Sequence, residues 1–339
     1  MKSAILGFGI SVPSRKIKAE EIAMQWKQDA DSIINGLGVT EKTVPDAGED
    51  TFTLAFEAGK QAIEIADIKS SQISAVFVGS ESHPYAVKPT SGMVTAALEC
   101  DPFCHCADLE FACKAGTAAM QIVDSMIRSK QISHGLAIGA DCAQAKPGDA
   151  LEYTAAAGAA AFVMGAASDK HALCQIDKTL SFTTDTPDFW RANGEEHPEH
   201  AGRFTGEPAY FHHVREATKG ILEVGNIKPE DIDHVIFHMP NAKFPRRIAK
   251  ELGFSKEQLE HGFIVPTIGN TYSACSPLGL AHVLQQATKD QRILLVSYGS
   301  GAGSDAFLMT MLRDGVKLKC DTRETTYLTY SEYQQSVHA

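Results

Sequence analysis

In the stretch "ADLEFACKAGTAAM" a cysteine stands among small residues, between a strand-like run and a helix-like run. Placed there, Cys113 would sit at the N-terminus of the helix carried by "KAGTAAMQIVDSMIRS". Free backbone N–H groups and the positive end of the helix dipole favour a thiolate at that point, and the thiolate is the nucleophilic form. Free cysteine is among the most buried residue types, so this segment by itself reads as core packing. Partners decide the matter, because a catalytic cysteine needs a group that moves protons. His238 ends the apolar run "HVIFH" just before "MPNAKFP", and Glu81 leaves another apolar run in "VGSESHP". A carboxyl in a half-buried crevice is pushed toward neutrality, as acid–base work requires. The glycines of "SYGSGAGSD" suggest a phosphate loop, but the lysine and the spacing of a Walker loop are missing. After a long strand, that loop would instead bring a backbone N–H to a thioester oxygen and, with the Cys113 amide, form an oxyanion hole.

Cations stand near the second half: Arg203 in "GRFTGEPAY", then Lys243, Arg246, Arg247 and Lys250 in "NAKFPRRIAKELG". Lys243, Arg247 and Lys250 share one face at helical spacing. A solvated face is the ordinary reading of such a run. Directly after a candidate catalytic histidine in an acidic chain, a phosphate-binding rim competes with it.

These residues must be brought together by the elements that carry them, and an internal repeat shows how. "DIKSSQISAVFVG" (67–79) aligns without a gap to "NIKPEDIDHVIFH" (226–238), each after a helix-like stretch and each ending in a short apolar strand. "ADLEFACKAGTAAMQIVDSMIRS" has the shape of "VPTIGNTYSACSPLGLAHVLQQA", read as strand, small-residue turn and apolar helix; "HGLAIGAD" matches "RILLVSYGSG". Three ordered matches mark a duplication. The expected architecture is two similar α/β halves about a pseudo-twofold axis, residues 1–170 and 171–339, with mainly parallel sheets covered by helices. Sites in such sheets form at the carboxyl ends of strands. The turns after matching strands therefore converge, and they carry Glu81, Cys113, His238, Asn270 and the loop from Tyr298.

Composition excludes other classes. The formal charge of −11 argues against a general nucleic-acid binder, and a hydrophobic content of 44% with 22% charged residues reads as a globular chain. The opening "MKSAILGFGISVP" has no cleavage pattern, and no apolar stretch is long enough to span a bilayer, so no membrane role is expected. The eight cysteines are scattered through apolar segments rather than arranged as a secreted disulfide framework, which points to a reducing cytoplasm. In "CDPFCHC" the residues Cys104, His105 and Cys106 are too close together for the usual ligand spacing, so no metal is expected.

The stretches "EFACKAGTAAMQ", "GDALEYTAAAG", "DFWR", "GRFTGEPAYF", "FHMPNAKFP", "GNTYSACSPLGL" and "SYGSGAGSDAF" resemble the thiolase superfamily. Within it they are similar to the 3-hydroxy-3-methylglutaryl-CoA synthases of the short archaeal and bacterial type. The resemblance implies the thiolase-like fold in αβαβα layers and a Glu81–Cys113–His238 triad. Acetyl-CoA would acetylate Cys113, Glu81 would act as base and acid, and His238 would polarise the ketone of acetoacetyl-CoA. By the same matching, Asp29 and Ala30 would lie near CoA, and Thr154, Thr205, Asn270 and Ser300 near the acyl portion. Arg203, Lys243 and Arg247 would approach the CoA phosphates, and the resemblance also takes in Asp188 of "DFWR". No cofactor beyond the CoA thioesters is implied. The resemblance also implies a homodimer paired through the "DLEFA" strand, and a larger complex with an acetoacetyl-CoA thiolase and a small OB-fold, zinc-ribbon protein. In the departures, "TAAAGAAAF" has alanine where many relatives have glycine or serine, and Arg247 stands where longer members carry lysine.

Two other readings stay open. A ketoacyl-carrier-protein synthase III would use Cys–His–Asn, and Asn270 is available, but decarboxylative condensation has no need of Glu81. A non-catalytic scaffold subunit would have no need of the triad at all.

Overall fold

The computed structural model describes residues 1–142, 145–318 and 324–337; Cys320 lies outside the described residues. The chain opens with β1 (Ser3–Ser11), β2 (Arg15–Lys18), α1 (Ala19–Gln25), α2 (Ala30–Leu37), β3 (Glu41–Val44) and α3 (Thr51–Ala66). Next come β4 (Ala75–Gly79), α4 (Thr90–Ala97), β5 (His105–Leu109), α5 (Ala115–Arg128), β6 (Gly135–Cys142) and β7 (Ala157–Ala166). The second half has β8 (Cys174–Thr183), a small hairpin of β9 (Phe189–Trp190) and β10 (Glu199–His200), α6 (Gly202–Phe204) and α7 (Phe211–Gly225). It continues with β11 (His234–Phe237), α8 (Lys243–Glu251), α9 (Lys256–Glu260), α10 (Val265–Ile268), α11 (Cys275–Leu284), β12 (Arg292–Val296) and β13 (Gly303–Met311). β14 (Thr326–Tyr327) and α12 (Tyr330–Val337) close the described chain.

Nine strands form one sheet in the order β11-β12-β13-β8-β1-β7-β6-β4-β5. Its two parts, β5 to β1 and β8 to β11, meet where β1 and β8 pair over Ser3–Ile5 and Cys174–Ile176. The duplication is visible down to single turns. The helices α3 and α7 end at left-handed Asp67 (φ 52°) and Asn226 (φ 50°). Each is followed by a 3₁₀ turn, Ser70–Gln72 or Pro229–Asp231, and then by β4 or β11. β4 and β11 are buried throughout, as expected of strands covered on both faces.

Two expectations need correction. The sheet is mixed: β4 pairs in parallel with β5 and β6, and β11 with β12, but β7 and β13 return antiparallel to their neighbours. Direct antiparallel returns into β7 and β13 replace the crossover helices that parallel pairing would need. The segment at Val265, expected as a strand, is instead the short helix α10. Pro266 lies in its first turn, where a missing N–H costs nothing; in a strand it would remove a ladder bond. The Pro266 carbonyl accepts from the Thr40 amide at 2.9 Å, which ties α10 to the stretch before β3.

The helices α5 and α11 lie back to back at the centre. Gly116 allows this approach, since a Cβ there would come within 2.5 Å of the Ser273 carbonyl oxygen and 2.8 Å of Gly139 Cα. Both helix N-termini thus face the same region, and the loops that precede them carry Cys113 and Asn270.

The tail returns to the first half. β14 runs parallel to β2, and α12 covers the buried Lys42, whose Nζ donates to Tyr333 Oη at 3.0 Å. Burial lowers the Lys42 pKa to about 7, against the opposing pull of Glu152. The fully buried Glu152 carboxylate accepts from Trp26 Nε1 and Tyr330 Oη, each at 2.9 Å.

Candidate active site

Cys113 is 5% exposed and lies in the turn between β5 and α5. The preceding Ala112 has φ 43°, the left-handed region that an alanine seldom adopts, so the turn holds a backbone cost that its surroundings must offset. The surroundings of Cys113 oppose the expected thiolate. Burial, then the neighbouring Glu81 charge and hydrogen bond, and then Asp141 and Cys275, push the thiol well above its ordinary pKa. Helix α5 begins two residues later, and the low-dielectric, anionic surroundings outweigh its dipole.

Glu81 follows β4, and its carboxyl meets the Cys113 thiol. Burial first, and the Asp141 charge second, raise its pKa to about 8, although the bond to Cys113 and the charge of Arg191 pull it down. Its Oε1 is buried with no hydrogen-bond partner, an acceptor or protonated donor waiting for one. Asp141, at the end of β6, organises this corner. One of its oxygens accepts from Ser80 Oγ at 2.7 Å, the Glu81 amide at 2.8 Å and Ser82 Oγ at 2.6 Å. The other accepts from the Ser273 amide at 2.8 Å and from its hydroxyl. A single buried carboxylate therefore ties the Glu81 loop to the loop of the second half that follows Asn270. The sequence reading missed Asp141; the one available signal was an acid at the end of the apolar run "LAIGAD".

His238 follows β11 and is 1% exposed. Burial alone lowers its pKa to about 3, so the imidazole is neutral, and its Nδ1 has no partner. Its carbonyl accepts from Tyr210 Oη at 2.7 Å, and its ring lies 6.3 Å from that of Tyr298. Tyr298 lies within electrostatic reach of Cys113 as well, and Cys275, another neighbour of Cys113, directs its thiol at the Met239 carbonyl. The structure thus brings Cys113 and Glu81 together, with His238 connected to them through Tyr298 and through the Met239 carbonyl that Cys275 meets.

The remaining expected residues fall into two groups. Near the centre, Thr154 and Asn270 are linked through the Asn270 amide to the Thr154 carbonyl at 2.7 Å, and the Asn270 side chain accepts from the Tyr272 amide at 3.0 Å. Ser300 bonds Tyr298, and Asp188 accepts from Tyr298 Oη at 2.7 Å and from the Gly301 amide at 2.9 Å, which anchors the β9–β10 excursion to the glycine loop. Thr205 Oγ1 is buried without a partner. Farther out, Lys243 and Arg247 are exposed on α8, the Arg247 guanidinium 4.2 Å from the centre of the Phe211 ring; Arg203 stacks on its neighbour Phe204 at 5.4 Å. Asp29 and Ala30 begin α2, whose far end meets the α8 approach through the Ala242 amide and the Leu37 carbonyl at 2.9 Å.

A cavity of about 870 Å³ opens on the Glu81 side, bordered by Glu81, Asp141, Tyr272, Phe189 and Arg191. Glu81 borders both this cavity and the thiol.

Comparison with known proteins gives three kinds of match. Residues 222–311 match the family described as 3-oxoacyl-[acyl-carrier-protein] synthase III C terminal. The chain is 53% identical over 332 residues to a hydroxymethylglutaryl-CoA synthase of Methanocaldococcus jannaschii, covering 98% of this chain and 95% of the relative. It is 57% identical over 303 residues to one of Archaeoglobus fulgidus, covering 89% and 87%. Among solved structures it is similar to an HMG-CoA synthase complexed with CoA, with a TM-score of 0.87 at 24% identity over 99% of this chain and 90% of that one, a likeness of fold.

Proposed function

Because the chain belongs to the hydroxymethylglutaryl-CoA synthase family, we propose that it condenses acetyl-CoA with acetoacetyl-CoA to give 3-hydroxy-3-methylglutaryl-CoA through an acetylated Cys113. The contact between the Cys113 thiol and the Glu81 carboxyl carries the assignment of roles. In the first step the thiol sulfur attacks the acetyl carbonyl, CoA leaves as its thiol, and the proton lost by Cys113 ends on the CoA sulfur. Glu81 as carboxylate then takes a proton from the acetyl methyl group. The carbanion attacks the ketone carbon of acetoacetyl-CoA, and the new alkoxide receives a proton back from Glu81. The neutral His238 donates a hydrogen bond to the ketone oxygen as negative charge develops there. Water then cleaves the thioester to Cys113, which releases the product and restores the thiol. Thr154, Thr205, Asn270 and Ser300 line the acyl path in this reading. Asp29, Ala30, Arg203, Lys243 and Arg247 take the CoA arm and its phosphates at the rim. No cofactor enters the scheme.

The carrier-protein synthase III reading has a C-terminal family match over less than a third of the chain. It gives no role to the buried Glu81 carboxyl. Intact-mass spectrometry after exposure to acetyl-CoA, followed by acetoacetyl-CoA and product chromatography, separates the readings. Retention of an acetyl group and release of 3-hydroxy-3-methylglutaryl-CoA are expected; an unmodified protein would leave a scaffold role, and condensation only with malonyl-carrier protein would favour the rival.

The raised Glu81 pKa predicts a pH dependence for the condensation step. The base must be a carboxylate, so the single-turnover rate of pre-acetylated enzyme with acetoacetyl-CoA should rise with pH and level off above about 8. Below that it should fall about tenfold per pH unit, because the ionised fraction does. A rate that is flat from pH 6 to pH 9 would remove Glu81 from the role.

A homodimer and a cytoplasmic location complete the proposal. β5 is the edge of the nine-stranded sheet, and Phe103, just before it, is 98% exposed, with Tyr85 and Val87 also exposed. An unpaired, apolar-flanked edge strand is a pairing surface. Light scattering after size exclusion should give a dimer, with a further mass increase on mixing with an acetoacetyl-CoA thiolase and an OB-fold, zinc-ribbon protein. A monomer would refute the first part, and no increase the second. Seven free thiols among the described residues accord with a reducing compartment, and no helix among them is long and apolar enough to cross a membrane.

A further inference from the structure

The residue after the nucleophile is a lysine, and it is 5% exposed. Its Nζ reaches both carboxylate oxygens of the fully buried Asp305, at 2.9 and 3.0 Å, and lies 4.1 Å from the centre of the Phe111 ring. Asp305 also accepts from Thr117 Oγ1 at 2.9 Å and Ser181 Oγ at 2.7 Å, so neither charge is left bare. The lysine stem runs between two glycines of the loop that the sequence offered as a phosphate cradle. A Cβ on Gly299 would come within 2.9 Å of Lys114 Cγ, and one on Gly303 within 3.0 Å of Lys114 Cε. These glycines make a slot for a side chain. The same turn holds Ala112 in the left-handed region, a conformation that needs outside support.

We infer that Lys114 is a positioning residue for Cys113: its ion pair with Asp305, threaded between Gly299 and Gly303, holds the strained turn so that the thiol faces Glu81. The catalytic part of this inference rests on the acetyl-transfer reading above. Lys114 itself touches no reacting atom. Its charge is neutralised by Asp305, so it acts through geometry rather than through its field on the sulfur. Thr117 Oγ1 lies 2.9 Å from both the Lys114 carbonyl and Asp305, so its one proton bridges the clamp to the first turn of α5.

The test compares Lys114→Met, which keeps the stem but leaves Asp305 unpaired, with the double variant Lys114→Met/Asp305→Asn. The double variant removes both charges at nearly constant volume and keeps an acceptor for Thr117 and Ser181, so it carries the test if the single variant does not fold. Two readouts are taken on folded protein. Acetylation by acetyl-CoA, followed by intact mass, is expected to slow about tenfold or more, with KM changed less than about threefold, since orientation rather than binding is lost. Iodoacetamide labelling of the Cys113 peptide against pH is expected to shift to lower pH, because a thiol released from Glu81 loses the neighbour that holds its proton. A folded double variant with wild-type acetylation or an unmoved labelling profile would overturn the inference. Wild-type protein that labels with iodoacetamide yet never acetylates would count against the acetyl-transfer reading instead, and the labelling shift would still decide the clamp.

Discussion

Replacing Cys113 by alanine is expected to abolish acetyl transfer and product formation while leaving the fold in place. The thiol is the one group in this turn able to hold an acyl intermediate, and loss of a nucleophile removes rate by about 10⁴-fold or more. The structural cost is small. Cys113 packs in a minor cluster with Ala145, Ala155 and Tyr272, and removing one sulfur there leaves a void worth about 1 kcal/mol. Incubation with labelled acetyl-CoA, followed by intact-mass measurement and a thermal melt, checks both halves. Acetate bound to the alanine variant would place the nucleophile elsewhere, with Cys275 the nearest alternative thiol.

Replacing Glu81 by alanine or glutamine should separate the two chemical steps. Acetylation continues, because Glu81 is among the groups that hold the proton on Cys113, and its removal eases ionisation of the thiol. Condensation has no such relief. Deprotonating a thioester methyl group demands a positioned base, and its loss is expected to slow the step by about 10² to 10⁴-fold. Mass spectrometry should then find acetyl-enzyme accumulating under turnover conditions, with little 3-hydroxy-3-methylglutaryl-CoA formed. Wild-type condensation by either variant would reject the base assignment and return the Cys–His–Asn scheme with Asn270. The pH profile is a second check on the same group: the slope below about pH 8 should vanish in the glutamine variant.

Much of this centre was legible in the sequence because the chain states its plan twice. The matched runs at 67–79 and 226–238 fixed β4 and β11 and therefore the exits that carry Glu81 and His238. What the repeat could not carry was its own divergence. In the first copy a strand precedes the nucleophile; in the second, Pro266 turns the corresponding segment into α10. The direction of β7 and β13 was equally hidden, since an apolar strand reads the same whichever way it runs. The place of Glu81 was legible because the repeat pairs its strand exit with that of His238. Asp141, Lys114 and Asp305 were not, because their meaning lies in partners 59 to 191 residues away. The surroundings that oppose a thiolate were hidden for a related reason: a helix dipole is local and readable, whereas burial beside two carboxylates is a tertiary fact.

The return of the tail onto the first half sets an order of assembly. α12 follows in synthesis everything that it covers, so β2, β3 and α1 emerge and collapse long before Tyr330 and Tyr333 exist to meet them. Until then Lys42 keeps its water and its ordinary charge, and Glu152 lacks its Tyr330 and Gln334 donors. The first half can therefore form its sheet early but cannot seal this side. Sealing waits until the whole second half has been made, which gives a growing chain a late, local checkpoint rather than two halves maturing independently.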